Sequence, residues 1–264
     1  MSRAGLPPPP AGGGGPRLPN LTRLFLGSGL PTCLPTFTAL EALNASGNAD
    51  AQAGRPLAGL ERLAGLGASL THLDLSYCGL AAAPAAITRL TALRSLRLTR
   101  NPLPGGGLLH VCRLPALAAL DVNTCRVAEL PEAFTALAPT LTSLDLGGNR
   151  QLAPEPLRRQ LAHLPNLQRF CAGGCGAKLP AALADTLAAL PLHYLAVNGN
   201  KLLATPQGGG PAWKPLFEAV EARRTAAPPA PGLPTTEQPP GLLALEASIA
   251  RADWDAADDA AEFY

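Results

Sequence analysis

The stretch LAALDVNTCRVAELPEAFTAL, Leu117 to Leu137, decides how this chain folds. Its first half places leucine-class residues at spacings of three and two, and Cys125 follows in the ninth position. A spacing of two is that of a short strand whose alternate side chains point to one side. The second half, from Leu130-Pro131 through Phe134, has spacings of three and four, which are typical of a short helix or a 3₁₀ turn. The stretch therefore predicts one strand, one turn and one helical return leg.

Copies of this pattern lie on both sides of the stretch. The copies, which we call units 1 to 8, start at Leu21, Leu40, Leu70, Leu93, Leu117, Leu141, Leu167 and Leu192. The starts differ by 19, 30, 23, 24, 24, 26 and 25 residues, so the regular part begins at unit 3. The ninth position of the units holds, in order, Gly29, Asn48, Cys78, Asn101, Cys125, Asn149, Cys175 and Asn200. From unit 3 on, Cys and Asn alternate at this position without exception.

The units resemble the leucine-rich repeat family, whose signature L-x-x-L-x-L-x-x-N/C-x-L is present in the quoted stretch. Their Leu-Pro return legs make them similar to the intracellular class found in Ras-associated and scaffold proteins. The resemblance implies an α/β leucine-rich repeat solenoid, with a curved parallel β-sheet on the concave side and short helices or 3₁₀ turns on the convex side. It also implies that the Asn or Cys of the ninth position bonds to backbone groups of the turn and its neighbour. Departures are the degenerate unit 2, Pro31 in place of a leucine, and Ala83 before Pro84.

The composition divides the chain into five segments. We expect a disordered Pro/Gly-rich leader over 1–19, the array of about eight units over 20–205, a C-terminal capping helix over 206–224, a Pro-rich linker over 225–240 and an acidic amphipathic tail over 241–264. A cap is expected because the last unit of a solenoid otherwise exposes its core. The apolar face of that helix is predicted to consist of Trp213, Leu216, Phe217 and Val220.

Bulk properties exclude several classes of protein. A net charge of +2 argues against a nucleic-acid partner held by general electrostatics. No run of about 20 apolar residues is present, so we predict no membrane span. The N-terminal residues lack the apolar core of a secretory signal, and we expect a cytoplasmic protein, with a ciliary axoneme or other cytoskeletal site as the alternative. The cysteines are interpreted as buried, reduced thiols, in keeping with that compartment.

Motifs that carry chemistry are missing from the sequence. The glycine runs lack the G-K-[ST] ending of a phosphate loop, and the four histidines have no nucleophile motif beside them. Cys171 and Cys175 lie four residues apart, but no second pair completes a zinc set. We therefore predict a protein that is not an enzyme and that takes no cofactor, metal or small-molecule substrate.

Candidate partner-binding residues are those that alternate with the leucines on the predicted concave face. Two interpretations stay open for them. Asp74, Arg97 and Asp121 on neighbouring strands could form a charge ladder that only holds the sheet together. Alternatively, the face is a recognition surface, because Tyr and Arg dominate binding hot spots. The candidate set is Asp74, Tyr77, Arg94, Arg97, Arg100, Asp121, Asn123, Asp145, Arg169 and Tyr194.

Three functions fit this reading. The first is a non-enzymatic adaptor or scaffold in signal transduction, which holds a protein partner in its concave face. The second is a structural subunit of a cytoskeletal assembly such as the ciliary axoneme, where short leucine-rich repeat proteins occur. The third is the substrate-recognition subunit of a ligase complex, although no F-box segment is visible. The sequence favours the first and does not identify the partner.

Overall fold

The computed structural model describes residues 21–27, 29–49, 55–202 and 213–226. The predicted leader, the predicted tail and the predicted linker beyond residue 226 lie outside the described residues.

Each unit contributes one short strand to a main parallel sheet, and units 7 and 8 each contribute a second strand. The strands are β1 (Arg23–Phe25), β2 (Ala42–Asn44), β3 (His72–Asp74), β4 (Ser95–Arg97), β5 (Ala119–Asp121), β6 (Ser143–Asp145), β7 (Arg169–Cys171), β8 (Lys178–Leu179), β9 (Tyr194–Ala196) and β10 (Lys201–Leu202). The main sheet has eight strands in the order β1-β2-β3-β4-β5-β6-β7-β9, and β10 pairs with β8 in a separate two-stranded sheet. Neighbouring strands of the main sheet come from units that are consecutive in the sequence, as expected for a solenoid.

The return legs form short helices on the other side of the core. Three α-helices are α1 (Pro154–Leu161), α2 (Ala181–Ala188) and α3 (Trp213–Ala226). The 3₁₀ helices cover Leu34–Thr36, Leu60–Leu66, Ala85–Arg89, Gly105–Leu108, Val111–Arg113 and Glu132–Leu137. The long return leg of unit 2 and the Pro104-Gly loop of unit 4 thus contain 3₁₀ turns, which need few residues per turn.

The core lies between the sheet and the return legs and consists mainly of leucine. In unit 5, Leu117, Leu120, Val122 and Phe134 are each at most 2% exposed. Burial of one such side chain stabilises the fold by about 1.5–3 kcal/mol, so the stack of units supplies the stability of the array. Unit 1 is the exception, because the core leucines of its edge strand segment, Leu21, Leu24 and Leu26, are only partly buried.

Asparagine in the ninth position binds the turns of neighbouring units together. The Oδ1 of the fully buried Asn101 accepts hydrogen bonds from the backbone N–H groups of Cys78 and Leu80, both at 3.0 Å. Its Nδ2 donates to two backbone carbonyls, both at 2.8 Å. Asn149 repeats this arrangement with the turn of unit 5. These bonds are those implied by the resemblance.

Cysteine in the same position acts as a donor only. The Sγ of Cys125 donates to the carbonyl oxygens of Leu98 (3.0 Å) and Asn123 (3.3 Å). In the asparagine unit before it, the N–H of Leu103 bonds instead to the backbone carbonyl of Cys125 at 2.8 Å. Units 3 and 5 thus take this acceptor from the Asn side chain of the next unit, whereas unit 4 takes it from the backbone of Cys125. This division of partners explains how the two residues alternate without leaving turn groups unpaired.

Helix α3 covers the last unit. Trp213, Leu216 and Val220 are buried, and the Nη1 of Arg223 donates to the carbonyl of Leu190 at 2.9 Å. Phe217 departs from the predicted apolar face, since it is 38% exposed. The helix has the composition expected of a cap, and it extends two residues past the predicted end at residue 224.

Candidate functional site

The outward side of the eight-stranded sheet, which we call the sheet face, carries the third, fifth and seventh residues of each unit, and we include the eighth residues of units 3 to 5 at its edge. The strand register places Asp74, Arg97 and Asp121 side by side on β3, β4 and β5. Arg97 Nη1 lies 3.8 Å from Asp74 Oδ2, and Arg97 Nε lies 3.4 Å from Asp121 Oδ2. All three residues are buried, at 6–8% exposure. They form one ion triad across three strands.

Further hydrogen bonds satisfy the carboxylates of the triad. Asp121 Oδ1 accepts from Thr99 Oγ1 at 2.8 Å and from the N–H of Asn123 at 3.0 Å. Asp74 Oδ1 accepts from the N–H of Ser76 at 2.8 Å. A buried ion pair of this kind offsets its desolvation only when its remaining acceptors are paired. The charge-ladder interpretation therefore describes Asp74, Arg97 and Asp121, which present little surface to a partner.

Asp145 follows the triad on β6 but has different neighbours. Its partners in register are Asp121 on one side and Cys171 on the other, so neither adjacent strand supplies a cation at this level. Its Oδ1 accepts from the N–H of Gly147 at 2.7 Å. Burial, together with the charge of Asp121, raises the pKa of Asp145 to about 6. Asp145 is thus a partly exposed carboxyl whose charged form is disfavoured by its surroundings.

Two arginine–tyrosine stacks are present, one on units 3 and 4, which also carry the triad, and one on units 7 and 8, past Asp145. The Cζ of Arg100 lies 5.4 Å from the ring centroid of Tyr77, which is 41% exposed. The Cζ of Arg169 lies 4.7 Å from the ring centroid of Tyr194. The Nη2 of Arg169 is buried and has no hydrogen-bond partner among the described residues. Each stack offers an aromatic ring and a guanidinium at one place, a combination common in binding hot spots.

The remaining two candidates belong to neither stack. Arg94 is exposed at the start of the strand segment of unit 4. The side chain of Asn123 is partly exposed; its Oδ1 accepts from Thr124 Oγ1 at 2.6 Å, and its amide covers Gly147. The candidates are therefore divided among a buried triad, two stacks, and three single polar residues along the sheet.

The eighth position of the units was not recognised from the sequence. Tyr77, Arg100 and Thr124 occupy it in units 3 to 5 with positive φ values of 56°, 56° and 54°. The described units on either side have glycine there, with φ of 67–71°: Gly47, Gly148, Gly174 and Gly199. The left-handed conformation costs an L-residue roughly 1–2 kcal/mol, whereas glycine adopts it freely. Aligning the eighth residues of the units would have revealed this contrast.

The cysteine thiols show no arrangement suited to catalysis or metal binding. All six are unpaired, and burial raises the pKa of Cys78 to about 11 and that of Cys125 to about 12. Such thiols stay protonated, which the hydrogen bonds of Cys125 to carbonyls require. No group of three or more His, Cys, Asp or Glu side chains suited to a metal occurs among the described residues. None of the described helices is long and apolar enough to cross a membrane.

Comparisons with known proteins agree with this geometry. A family model described as Leucine Rich repeat matches residues 68–83 and 138–155. The fold is similar to that of internalin C2 from Listeria monocytogenes, with a TM-score of 0.52 at 20% identity over 69% of this chain and 73% of that one. An internalin, inlF, from the same organism gives 0.42 at 18% identity over 69% of this chain and 63% of that one. A leucine-rich repeat protein of Leptospira interrogans gives 0.48 at 18% identity over 65% and 46%. No curated protein matches the sequence.

The repeat match and the stacked parallel strands together identify the chain as a leucine-rich repeat protein. The predicted family and the predicted α/β solenoid are confirmed. A fold of this kind is a general protein-interaction module and is typically a non-enzymatic scaffold. The assignment to the intracellular, Ras-associated or scaffold-like class stays a prediction based on the Leu-Pro elements.

Proposed function

We propose that this protein is a non-enzymatic adaptor that binds a protein partner through its sheet face. The observation that carries the proposal is the pair of arginine–tyrosine stacks, Arg100 on Tyr77 and Arg169 on Tyr194. Tyr and Arg supply large contact area and directed hydrogen bonds, and they are the residues most enriched in hot spots. Both stacks belong to the predicted partner-binding set.

The buried triad gives this surface a fixed geometry. Arg97 ties β3 to β5 through Asp74 and Asp121, across units 3 to 5, and the stack of Arg100 on Tyr77 belongs to units 3 and 4 of this set. A contact surface that is ordered before binding loses less conformational entropy on association. We therefore assign Asp74, Arg97 and Asp121 to support of the surface and the two stacks to partner contact.

A cytoplasmic location is part of the proposal. Cys78, Cys125 and Cys175 each donate a thiol hydrogen bond to a backbone carbonyl of the preceding unit. Oxidation would remove those donors from buried turns, so the array depends on thiols that stay reduced. Reducing compartments are where such thiols persist.

The test is affinity purification of the tagged full chain from cell extract, with mass spectrometry of the bound proteins. Two sheet-face variants, Tyr77→Ala with Arg100→Glu and Arg169→Glu with Tyr194→Ala, are compared with the parent chain. The control variant is Arg89→Glu with Arg113→Glu, which changes two exposed arginines on the return legs. We expect at least one partner to be lost about tenfold or more from a sheet-face variant and retained by the control.

Retention of every partner by both sheet-face variants would contradict the proposal. Equal losses from the control would show that net charge, rather than the sheet face, determines binding. The identity of the captured proteins also tests the other two predicted functions. Axonemal components would favour the structural role, and ligase subunits would favour substrate recognition.

A further inference from the structure

A second surface lies past the strand ends, where the turns lead into the return legs. Four cationic side chains project there from units 5 to 8, and we call them the basic rim: Arg126, Arg150, Lys178 and Lys201. All four are exposed. None of them forms an ion pair with another residue in the described part of the chain. The basic rim is therefore a run of uncompensated positive charge on consecutive stacked units.

The two lysines of the rim face each other at a cost to the fold. Lys178 of β8 and Lys201 of β10 are partners in parallel register, so two ammonium groups start from directly opposite positions. Like charges in this position destabilise a strand pair, while opposite charges stabilise it. If the pair served only to join β8 to β10, a lysine opposite a glutamate would make the strand pair more stable.

Arg126 is also held at a cost. It follows the ninth-position cysteine of unit 5 and has a φ of 59°. The residues that follow the cysteines of units 3 and 7 have the same conformation, but they are Gly79 (φ 67°) and Gly176 (φ 63°). A left-handed conformation is readily adopted by glycine and disfavoured for arginine. Backbone strain of this sort is retained chiefly where the side chain has a function.

Beside the basic rim the turns expose backbone instead of side chains. Gly174 and Gly199 occupy the eighth positions of units 7 and 8, and both are exposed. A Cβ placed on Gly174 would meet nothing nearer than 3.8 Å. An extended chain could therefore lie close to these turns while its side chains reach the rim cations.

We infer that the basic rim binds an acidic, extended segment of a protein partner. Exposed carboxylates that recur along a peptide are the complement of cations that recur once per unit. A nucleic acid is the less suitable anion, because the whole chain has a net charge of only +2 and the rim includes no aromatic side chain for base stacking. The inference adds a second surface to the proposed function and does not depend on the sheet face.

The test measures binding of a fluorescein-labelled octaglutamate peptide to the full chain by fluorescence anisotropy. Octaglutamine and a single-stranded DNA oligonucleotide serve as comparison probes. Two rim variants, Arg126→Glu with Arg150→Glu and Lys178→Glu with Lys201→Glu, are matched in charge by the return-leg control Arg89→Glu with Arg113→Glu. We expect each rim variant to raise the Kd for octaglutamate about tenfold more than the control does. The affinity of the parent chain should fall steeply between about 0.05 and 0.5 M salt.

A stability measurement separates loss of the site from loss of the fold. The single variant Lys201→Glu replaces the facing lysines by a Lys–Glu pair, so we expect its melting temperature to rise by about 1–3 °C while octaglutamate binding weakens. The sheet-face variants should bind octaglutamate as the parent does.

Several results would overturn the inference. Octaglutamate binding that is absent, or that falls equally in the rim and control variants, would show that the rim is only a solvated face. Tighter binding of the DNA than of the peptide would assign the rim to nucleic acid. A loss of octaglutamate binding confined to the sheet-face variants would place the acidic partner on the sheet face.

Discussion

Units 3 to 5 and units 6 to 8 have the same interior but different surfaces. Both groups bury the first, fourth and sixth positions of their units, except that Leu195 of unit 8 is only partly buried, and in both an Asn side chain accepts from a turn N–H of the preceding unit. In units 3 to 5, Arg97 forms ion pairs with Asp74 and Asp121, and the turns place Tyr77, Arg100 and Thr124 in a left-handed conformation. We call these the ridge units. In units 6 to 8, which we call the glycine units, Asp145 has no arginine beside it in register and the corresponding turn residues are glycines.

The difference shows at which positions of its units a repeat array tolerates residues that lower its stability. The interior positions must match their neighbours on both sides, because an unfilled or unpaired buried site is expensive. The outward positions face solvent and can differ from unit to unit. Costly choices in them, such as a non-glycine residue in a left-handed turn or an uncompensated carboxyl, are therefore indicators of function.

The largest expected effect comes from breaking the triad of the ridge units. Arg97→Leu leaves Asp74 and Asp121 buried without a cation, and we expect the free energy of unfolding to fall by about 3–5 kcal/mol. Urea denaturation followed by circular dichroism measures it. Arg94→Leu, on the same strand segment but exposed, is the control and should change stability by about 0.5 kcal/mol or less. Equal effects of the two variants would mean that the triad is no more important than a surface arginine.

The next prediction tests whether the interior is the same in both groups. Asn101→Ala in the ridge units and Asn149→Ala in the glycine units each remove a buried side chain that satisfies turn N–H and C=O groups. We expect both to lower the free energy of unfolding by about 2–4 kcal/mol. The exposed Asn166, which bonds to two carbonyls, provides the control Asn166→Ala, with a loss of at most about 1 kcal/mol. A much smaller loss at one of the buried positions would show that the two groups differ inside as well as outside.

Asp145 predicts a pH dependence that belongs to the glycine units. Because burial and the charge of Asp121 raise its pKa from 3.8 to about 6, the folded state binds its proton more tightly than the unfolded state does. The stability due to the protonated form is complete below 3.8 and is lost as the pH rises through about 6. Asp145→Asn keeps an acceptor for Gly147 and should be more stable than the parent at pH 7 by about 1–3 kcal/mol.

The advantage of Asp145→Asn should disappear at low pH. Urea denaturation at several pH values, with the exposed Asp185→Asn as control, measures it. A gain that stays constant from pH 4 to pH 7 would show that Asp145 ionises normally and that its surroundings are not unfavourable.

The smallest effect concerns the turns themselves. Gly174→Ala introduces a Cβ that makes only ordinary van der Waals contact, 3.8 Å from Gly148 N, at a φ of +68°, so the change isolates the backbone cost and should destabilise the fold by about 1 kcal/mol. Thr124→Gly, the converse change in a ridge unit, should stabilise by up to about 1 kcal/mol, less the entropy that glycine loses on folding. Thermal denaturation of the two variants measures both signs. If neither changes stability, the left-handed residues of the ridge units carry no strain.

Much of the fold could be predicted from the sequence, because the same residue spacing recurs in most of the units. The spacing of Leu117, Leu120 and Val122 recurs in unit after unit, and each unit packs only against its neighbours. The Asn/Cys alternation likewise identified the buried turn position, and the family resemblance implied its hydrogen bonds. By contrast, the exposure of Phe217 was not predicted, because a helical period cannot distinguish the centre of an apolar face from its margin.

The candidate site was predicted only in part. The sequence selected the residues of the sheet face but left open whether Asp74, Arg97 and Asp121 hold the sheet or contact a partner. It did not reveal the strain at Tyr77, or the opposition of Lys178 and Lys201, because neither follows from the leucine spacing. Both require a backbone conformation or a strand register.

The sequence by itself thus determined the solenoid, its core and its turn ladder, since these depend on local spacing and on neighbours that repeat it. Only the tertiary structure decided which charges are buried together, which arginines stack on tyrosines and which cations remain uncompensated. Those properties depend on the register between strands and on burial, which arise only when the units are stacked.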